Sequence, residues 1–185
     1  MNNLHKRSYT RILLLAVIVL AIMLSSQSTQ AQGVVNGSAT ATILAALTVT
    51  ADSAIRFGNV LQGVSITVSN ASNDSSGVFR ISGQTGSTVW ASLTLPSYLS
   101  HNTNSQDRMD IFFSPTSGAW DDASGPLSQP ATGSSTTFNP YTSISQALTA
   151  GDLAIFLGGT LTPKVNQTPG AYTADIVLTV AYTGV

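Results

Sequence analysis

The sequence has 185 residues, with 7 Lys or Arg, 8 Asp, no Glu, two His and no Cys. After position 31 the chain has 4 basic and 8 acidic residues, and such a weakly acidic chain with scattered charges has no electrostatic footprint for nucleic acid or anionic lipid. The lack of Cys excludes disulfides, thiol catalysis and thiolate metal sites. Ser and Thr make up 42 of the 154 residues after position 31, a composition that favours β-sheet surfaces over helical ones.

The first 31 residues are predicted to be a cleaved signal peptide. Three basic residues precede a continuous apolar run at residues 12–24, and the polar stretch that follows ends in Ala31. The run is shorter than the about 20 residues of a spanning helix. We therefore expect an exported protein, in the periplasm, at the cell surface or outside the cell. Residues 32–185 are predicted to be a single β-sandwich domain with no membrane span after signal removal.

The first segment of this domain, residues 37–50, alternates between apolar and hydroxyl side chains. Ser or Thr fills five of its seven even positions, and a period of two predicts a β-strand. The segment is long for one strand, since about 5–6 residues are typical. The segment therefore either bends partway along its length, or its first and second halves have different roles.

Six shorter strands are predicted in the middle of the chain. They are residues 55–60, 64–68, 78–82, 89–95, 109–114 and 153–161. The last of them contains Gly158 and Gly159, which indicates a bulge or a close backbone approach. Strands of this spacing, separated by turn residues, predict an all-β antiparallel sandwich of about seven to nine strands.

Two stretches rich in Ser, Thr, Asn, Asp, Gly and Pro are predicted to be irregular, residues 97–108 and 116–149. The second is long for a compact domain. It either contains a weak strand around residues 135–138 or is a long surface loop, the usual place for recognition residues.

The final segment, residues 171–183, alternates as cleanly as the first and follows a turn signal at Pro169 and Gly170. The side chains predicted to share one face are Tyr172, Ala174, Ile176, Leu178, Val180 and Tyr182.

Three features together resemble a known family: the alternating N-terminal stretch, the short element Ile55-Arg56-Phe57-Gly58, and the final strand after Gly170. The chain resembles a secreted bacterial family of uncharacterised function that is similar in turn to the spore-coat-protein-U-like pilins of archaic chaperone–usher systems.

This resemblance implies an immunoglobulin-like sandwich that lacks one strand, with the groove filled by the N-terminal extension of the next subunit. Strand addition of this kind gains affinity from main-chain hydrogen bonds and specificity from alternate side chains. The implied donor residues are Ala39, Ala41, Ile43 and Ala45, and residues 172–182 form a wall of the acceptor groove. The implied partners are further copies of the chain and a periplasmic chaperone. Alternatively, the donor segment folds back and completes its own sandwich.

Catalytic chemistry is not expected. His101 is the one His of the predicted domain and is predicted to be exposed. Asp107, Asp110, Asp121 and Asp122 show no calcium-loop spacing and are predicted to be solvated loop acids. We therefore predict no enzyme, no cofactor and no metal site.

The two Trp residues and a pair of Phe residues are the remaining features. Trp90 alternates within a strand and is predicted to lie in the core, whereas Trp120 lies in a polar stretch and is the better candidate for a ligand contact. Phe112 and Phe113 place one ring on each face of their strand. With the resemblance, this implies a non-enzymatic secreted or cell-surface structural protein, a pilus- or coat-like subunit. The alternative is a self-complete module that recognises a glycan or protein through residues 116–149.

Overall fold

Short strands, most of them three to six residues long, make up the regular structure of the chain. The computed structural model describes residues 37–122 and 135–183. The predicted signal peptide therefore lies outside the described residues. The chain divides into two units, Met1–Ala41 and Thr42–Val185. In the first unit the described residues 37–41 are exposed and form no strand.

The second unit has thirteen strands among its described residues. They are β1 Thr48–Ser53, β2 Ile66–Val68, β3 Gly77–Ser82, β4 Thr88–Thr94, β5 Tyr98–His101, β6 Arg108–Phe112, β7 Gly118–Asp121, β8 Thr136–Phe138, β9 Ile144–Ala147, β10 Asp152–Leu157, β11 Gly159–Thr162, β12 Tyr172–Thr173 and β13 Val177–Tyr182. The described residues contain no helix, and hence none that could cross a membrane.

All strand pairs are antiparallel, and they form three sheets. Sheet A has the order β1-β3-β10-β7-β8, sheet B has the order β12-β5-β6-β11-β2, and sheet C has the order β13-β4-β9. The all-β antiparallel prediction is confirmed.

Three apolar clusters lie among the described residues; the smallest is on sheet A and is formed by Ala119, Ala154 and Phe156, and the larger two connect the sheets. The first lies between sheets A and C and is formed by Phe79, Ile81, Val89, Ala91, Leu148, Leu153 and Ile155. The second lies under sheet B and is formed by Met109, Ile111, Phe113, Leu157 and Leu161. Leu93 and Ile176 pack against both clusters. Each fully buried aliphatic or aromatic side chain contributes about 1.5–3 kcal/mol to folding.

The number of strands exceeds the prediction of seven to nine for two reasons: two predicted strands are each divided between sheets, and β5, β7, β8 and β9 lie in stretches predicted to be irregular. Gly158 separates β10 in sheet A from β11 in sheet B. A Cβ added at Gly158 would lie 2.6 Å from the backbone nitrogen of Asn70, which confirms the close backbone approach, one of the two alternatives predicted there. Likewise, the predicted final strand is divided into β12 in sheet B and β13 in sheet C. A local break in the ladder lets one chain segment serve two sheets.

The prediction of one long loop at residues 116–149 is wrong. This region contains β7, β8 and β9, and β8 confirms the weak strand expected around residues 135–138. Residues 123–134 lie outside the described residues. In the predicted irregular stretch 97–108, β5 was missed because only four residues of mixed character form it.

Two further strand predictions were wrong. Residues 37–47 form no strand, so the first strand starts only at Thr48. Residues 55–60 also form no strand, although Ile55, Phe57 and Val60 pack against the second cluster as the alternation suggested. Alternating side chains can therefore be buried without ladder hydrogen bonds.

Candidate functional site: a groove between two strand edges

Six of the described strands lie at sheet ends and have a single neighbour, and two of them, β1 and β13, concern the predicted donor and groove segments. β1 pairs with β3 at the end of sheet A, and β13 pairs with β4 at the end of sheet C. Strands at sheet ends present a row of backbone N–H and C=O groups to any further strand. Residues at or beside these two edges come together at two places, and we call the space between the two strands the groove.

The first place is at Tyr182, in the last position of β13, and the second is at Ile176, the residue before β13. At the first place the Tyr182 hydroxyl donates to the carbonyl oxygen of Ala45 at 3.0 Å and accepts from the N–H of Gln84 at 2.7 Å. At the second place, Ser53 and Ile176 line the same cavity. The strands β1 and β13 therefore lie along the groove in opposite directions.

A cavity of about 400 Å³ forms the end of the groove near Ile176. Its apolar lining comes from β1, the first and second clusters and the residues around β12, and includes Ala51, Ile55, Phe79, Leu99, Tyr172 and Ile176. We call it the groove cavity. Its size falls in the range of ligand pockets, about 300–1,000 Å³.

A second cavity of about 560 Å³ adjoins the groove cavity. The two share Ile55, Phe57, Leu99 and Tyr172 as lining residues. These four side chains lie between the two cavities, and the second cavity has a mixed polar and apolar lining that includes Asn59, Gln62 and Gln167.

One wall of the second cavity is fixed by a hydrogen-bond network centred on Gln167, which is 5% exposed. Its Nε2 donates to the Tyr172 hydroxyl at 2.7 Å, and its Oε1 accepts from the N–H of Lys164 at 3.4 Å. Tyr172 in turn donates to the carbonyl oxygen of Thr168 at 2.8 Å. Since these polar groups already have partners, the wall is structural.

The predicted donor residues are exposed. Ala39, Ala41 and Ala45 are exposed, and Ile43 is 94% exposed. An isoleucine this exposed leaves apolar area in water that a partner could bury. Its role as a donor side chain stays a prediction.

The predicted groove strand keeps its alternation although it is divided. Ile176, Leu178, Val180 and Tyr182 pack against the first cluster, whereas the residues between them are exposed. Tyr172 packs against the second cluster, and only Ala174 departs from the pattern because it is exposed.

The prediction for Trp90 was wrong, and Trp120 lies in different surroundings from those expected. Trp90 is 37% exposed, because its neighbours Val89 and Ala91 occupy the buried face of β4. Trp120 lies in β7 and packs against the first cluster. The prediction for the Phe pair is confirmed, since Phe113 is fully buried and Phe112 is 58% exposed.

His101 is half-buried, contrary to the exposed position expected. Its Nδ1 lies 3.3 Å from the Thr103 N–H nitrogen and its Nε2 lies 3.3 Å from the carbonyl oxygen of Pro169. Its ring also meets the Tyr172 ring edge-on, with centroids 5.0 Å apart. These contacts explain the burial and give His101 a structural role in joining β5 to the segment before β12.

The predicted loop acids are dispersed in the part of the chain that the structure describes. Asp110 is exposed on β6, Asp107 accepts a hydrogen bond from the Thr168 hydroxyl at 2.8 Å, and Asp122 accepts one from Thr149 at 3.1 Å. No three His or Asp side chains come together among the described residues.

A comparison with protein-family models found none that matches this chain, and a comparison with curated proteins found no significant match.

Proposed function

We propose that this protein is an exported, non-enzymatic structural subunit that assembles by strand complementation. In this proposal the domain is an immunoglobulin-like sandwich that lacks one strand, and residues 39–45 of a second copy enter the groove between β1 and β13. The observations that carry the proposal are the largely apolar cavity beside the end of β1 and the positions of β1 and β13 at sheet ends, where each pairs with one neighbour among the described strands.

The course of the chain before β1 favours exchange between copies over self-completion. Both backbone groups of Ala45 are engaged, its N–H with Gln84 Oε1 at 3.4 Å and its carbonyl with Tyr182. Leu47 packs against the first cluster. Only Ala46 lies between these two anchored positions, whereas a tight hairpin needs two turn residues. The chain at Ala45 therefore lacks the turn that would return it along β1, and Ala45 gives up these two hydrogen bonds when it acts as a donor residue of another copy.

The inserted strand would run parallel to one edge and antiparallel to the other, because β1 and β13 lie in opposite directions. Its main-chain groups would pair with both edges, and Ile43 would supply the one large apolar side chain among the four proposed donor residues. Until it is filled, the groove exposes apolar surface. A periplasmic chaperone that covers it is therefore the expected partner before assembly.

The test uses the mature chain, residues 32–185, and a variant that lacks residues 34–45. We expect the mature chain to form ladders on unheated SDS gels that collapse to monomer on boiling. The shortened chain should stay monomeric and bind a synthetic peptide of residues 34–45.

Two altered peptides provide matched controls. An Ile43→Asp peptide should fail to bind, because a carboxylate would be buried without a partner. A Thr42→Asp peptide, altered on the opposite face, should bind. A mature chain that is strictly monomeric and indifferent to all three peptides would exclude the assembly proposal.

The alternative, a self-complete module that binds through residues 116–149, has less support. β7, β8 and β9 make up much of this region, and its aromatic candidate Trp120 packs against the first cluster.

A further inference from the structure

The outer face of sheet C differs from those of the other two sheets because it carries no charged side chain. The register of β4 with its two neighbours defines this face. Its nine members are Thr88, Trp90, Ser92, Thr94, Ser145, Ala147, Val177, Thr179 and Ala181. By contrast, sheet A carries Arg80 and Asp152, and sheet B carries Arg108 and Asp110.

Trp90 lies at the centre of this face, directly between Ala181 on β13 and Ser145 on β9. Cross-strand neighbours on one face lie about 5 Å apart, and side chains this short cannot cover an indole. Trp90 consequently remains 37% exposed although strands flank it on both sides.

The hydroxyl groups around the indole are free for a ligand. Among the described residues, the side chains of Ser92, Ser145 and Thr179 make no hydrogen bond within the protein. On sheet B, in contrast, Thr67 and Thr160 bond to each other at 2.8 Å. The face of sheet C therefore combines an exposed aromatic ring with unused donors and acceptors.

The extent of the face limits what can bind. Strand spacing and a two-residue repeat give each outward side chain roughly 33 Å², so nine residues cover about 300 Å². A stable protein interface needs about 800 Å² per partner, which argues against a second copy of the chain on this face. A few sugar rings fit the area.

We propose that the outer face of sheet C is a binding surface for a neutral oligosaccharide, with Trp90 as the stacking platform. The C–H face of a pyranose ring would pack on the indole and remove apolar area from water. The hydroxyls of Ser92, Ser145 and Thr179 would bond to the ring substituents. Since no charged side chain lies on this face, a charged sugar would form no ion pair there. The inference is independent of the assembly proposal, which uses the groove.

The fluorescence test uses the two Trp residues of the chain. A mature chain with Trp120→Phe leaves Trp90 as the sole indole. It is titrated with five neutral hexasaccharides of glucose (β-1,4 and α-1,4 linked), N-acetylglucosamine, mannose and xylose. We expect a saturable change in Trp90 emission with at least one of them. No change with any of the five would overturn the proposal.

The contact is then assigned by substitution, with affinity measured by calorimetry for the sugar that binds. Trp90→Ala should weaken binding by at least about tenfold, or 1.4 kcal/mol. Ala181→Arg, which covers the indole without touching the core, should do the same. Phe112→Ala removes an exposed ring from sheet B and should leave affinity unchanged. Retained affinity in both sheet C variants would refute the site.

Two further outcomes are decisive. A Trp90 emission that depends on protein concentration without sugar, together with dimers in sedimentation, would assign the face to a second copy and overturn the glycan proposal. Deletion of residues 34–45 should not alter sugar affinity, so failure of the assembly proposal and failure of this one are distinguishable.

Discussion

At the scale of single residues, Gly158 occupies a position where the neighbouring backbone leaves no room for a side chain. An added Cβ would lie 2.6 Å from the backbone nitrogen of Asn70 and closer still to the carbonyl oxygen of Val68. Both atoms belong to backbone that cannot give way locally. The neighbouring Gly159 is different, because the nearest atom to its added Cβ is Phe113 Cε1 at 3.2 Å, and a side chain can adjust.

Gly158→Ala should therefore destabilise the protein by about 1–3 kcal/mol, the usual cost of overpacking. Gly159→Ala is the matched control and should cost clearly less. Urea unfolding of the mature chain measures both, with an unchanged m-value showing that only stability has changed. Equal midpoints for the two variants would contradict the close approach at Gly158.

At the scale of the element, β1 shows how register determines which residues face the groove. Ala51 pairs with Phe79 of the first cluster and lines the groove cavity, whereas Thr48 pairs with the exposed Ser82. A larger side chain at Ala51 would fill part of the groove cavity, which the proposed donor strand of a second copy would occupy. The same change at Thr48 points to solvent.

In the chain lacking residues 34–45, Ala51→Tyr should weaken binding of the 34–45 peptide by at least about tenfold. Thr48→Tyr should leave it unchanged. Peptide titration followed by anisotropy measures both affinities, and circular dichroism verifies that both variants are folded. Equal affinity for the two would show that the peptide does not use the groove cavity.

At the scale of the whole molecule, the proposed assembly would bury apolar surface beside β1 against another chain. A ligand that binds the folded state alone raises stability by mass action. The isolated subunit should therefore have a lower free energy of unfolding than the assembled one. Since the chain has no Cys, disulfides contribute to neither value.

Peptide at one hundred times its dissociation constant should raise the stability of the shortened chain by about 2.7 kcal/mol. For a domain of this size, that corresponds to a rise in Tm of roughly 8 °C. Scanning calorimetry with and without the 34–45 peptide measures the shift, and the Ile43→Asp peptide is the control. A Tm unaffected by the native peptide would contradict an open acceptor groove.

The sequence by itself determined the all-β class and the alternation of residues 176–182, because side-chain period follows directly from strand geometry. It also determined the opposite exposures of Phe112 and Phe113. The burial of Ile55 and Phe57 followed the same alternation, although no ladder forms there.

Only the tertiary structure decided which chain segments bend from one sheet to another, where β1 begins, and which Trp is exposed. Trp90 and Trp120 have similar local patterns, and their burial depends on which face of each strand meets the first cluster. That choice is made by long-range pairing of strands far apart in sequence, for which a local pattern carries no signal.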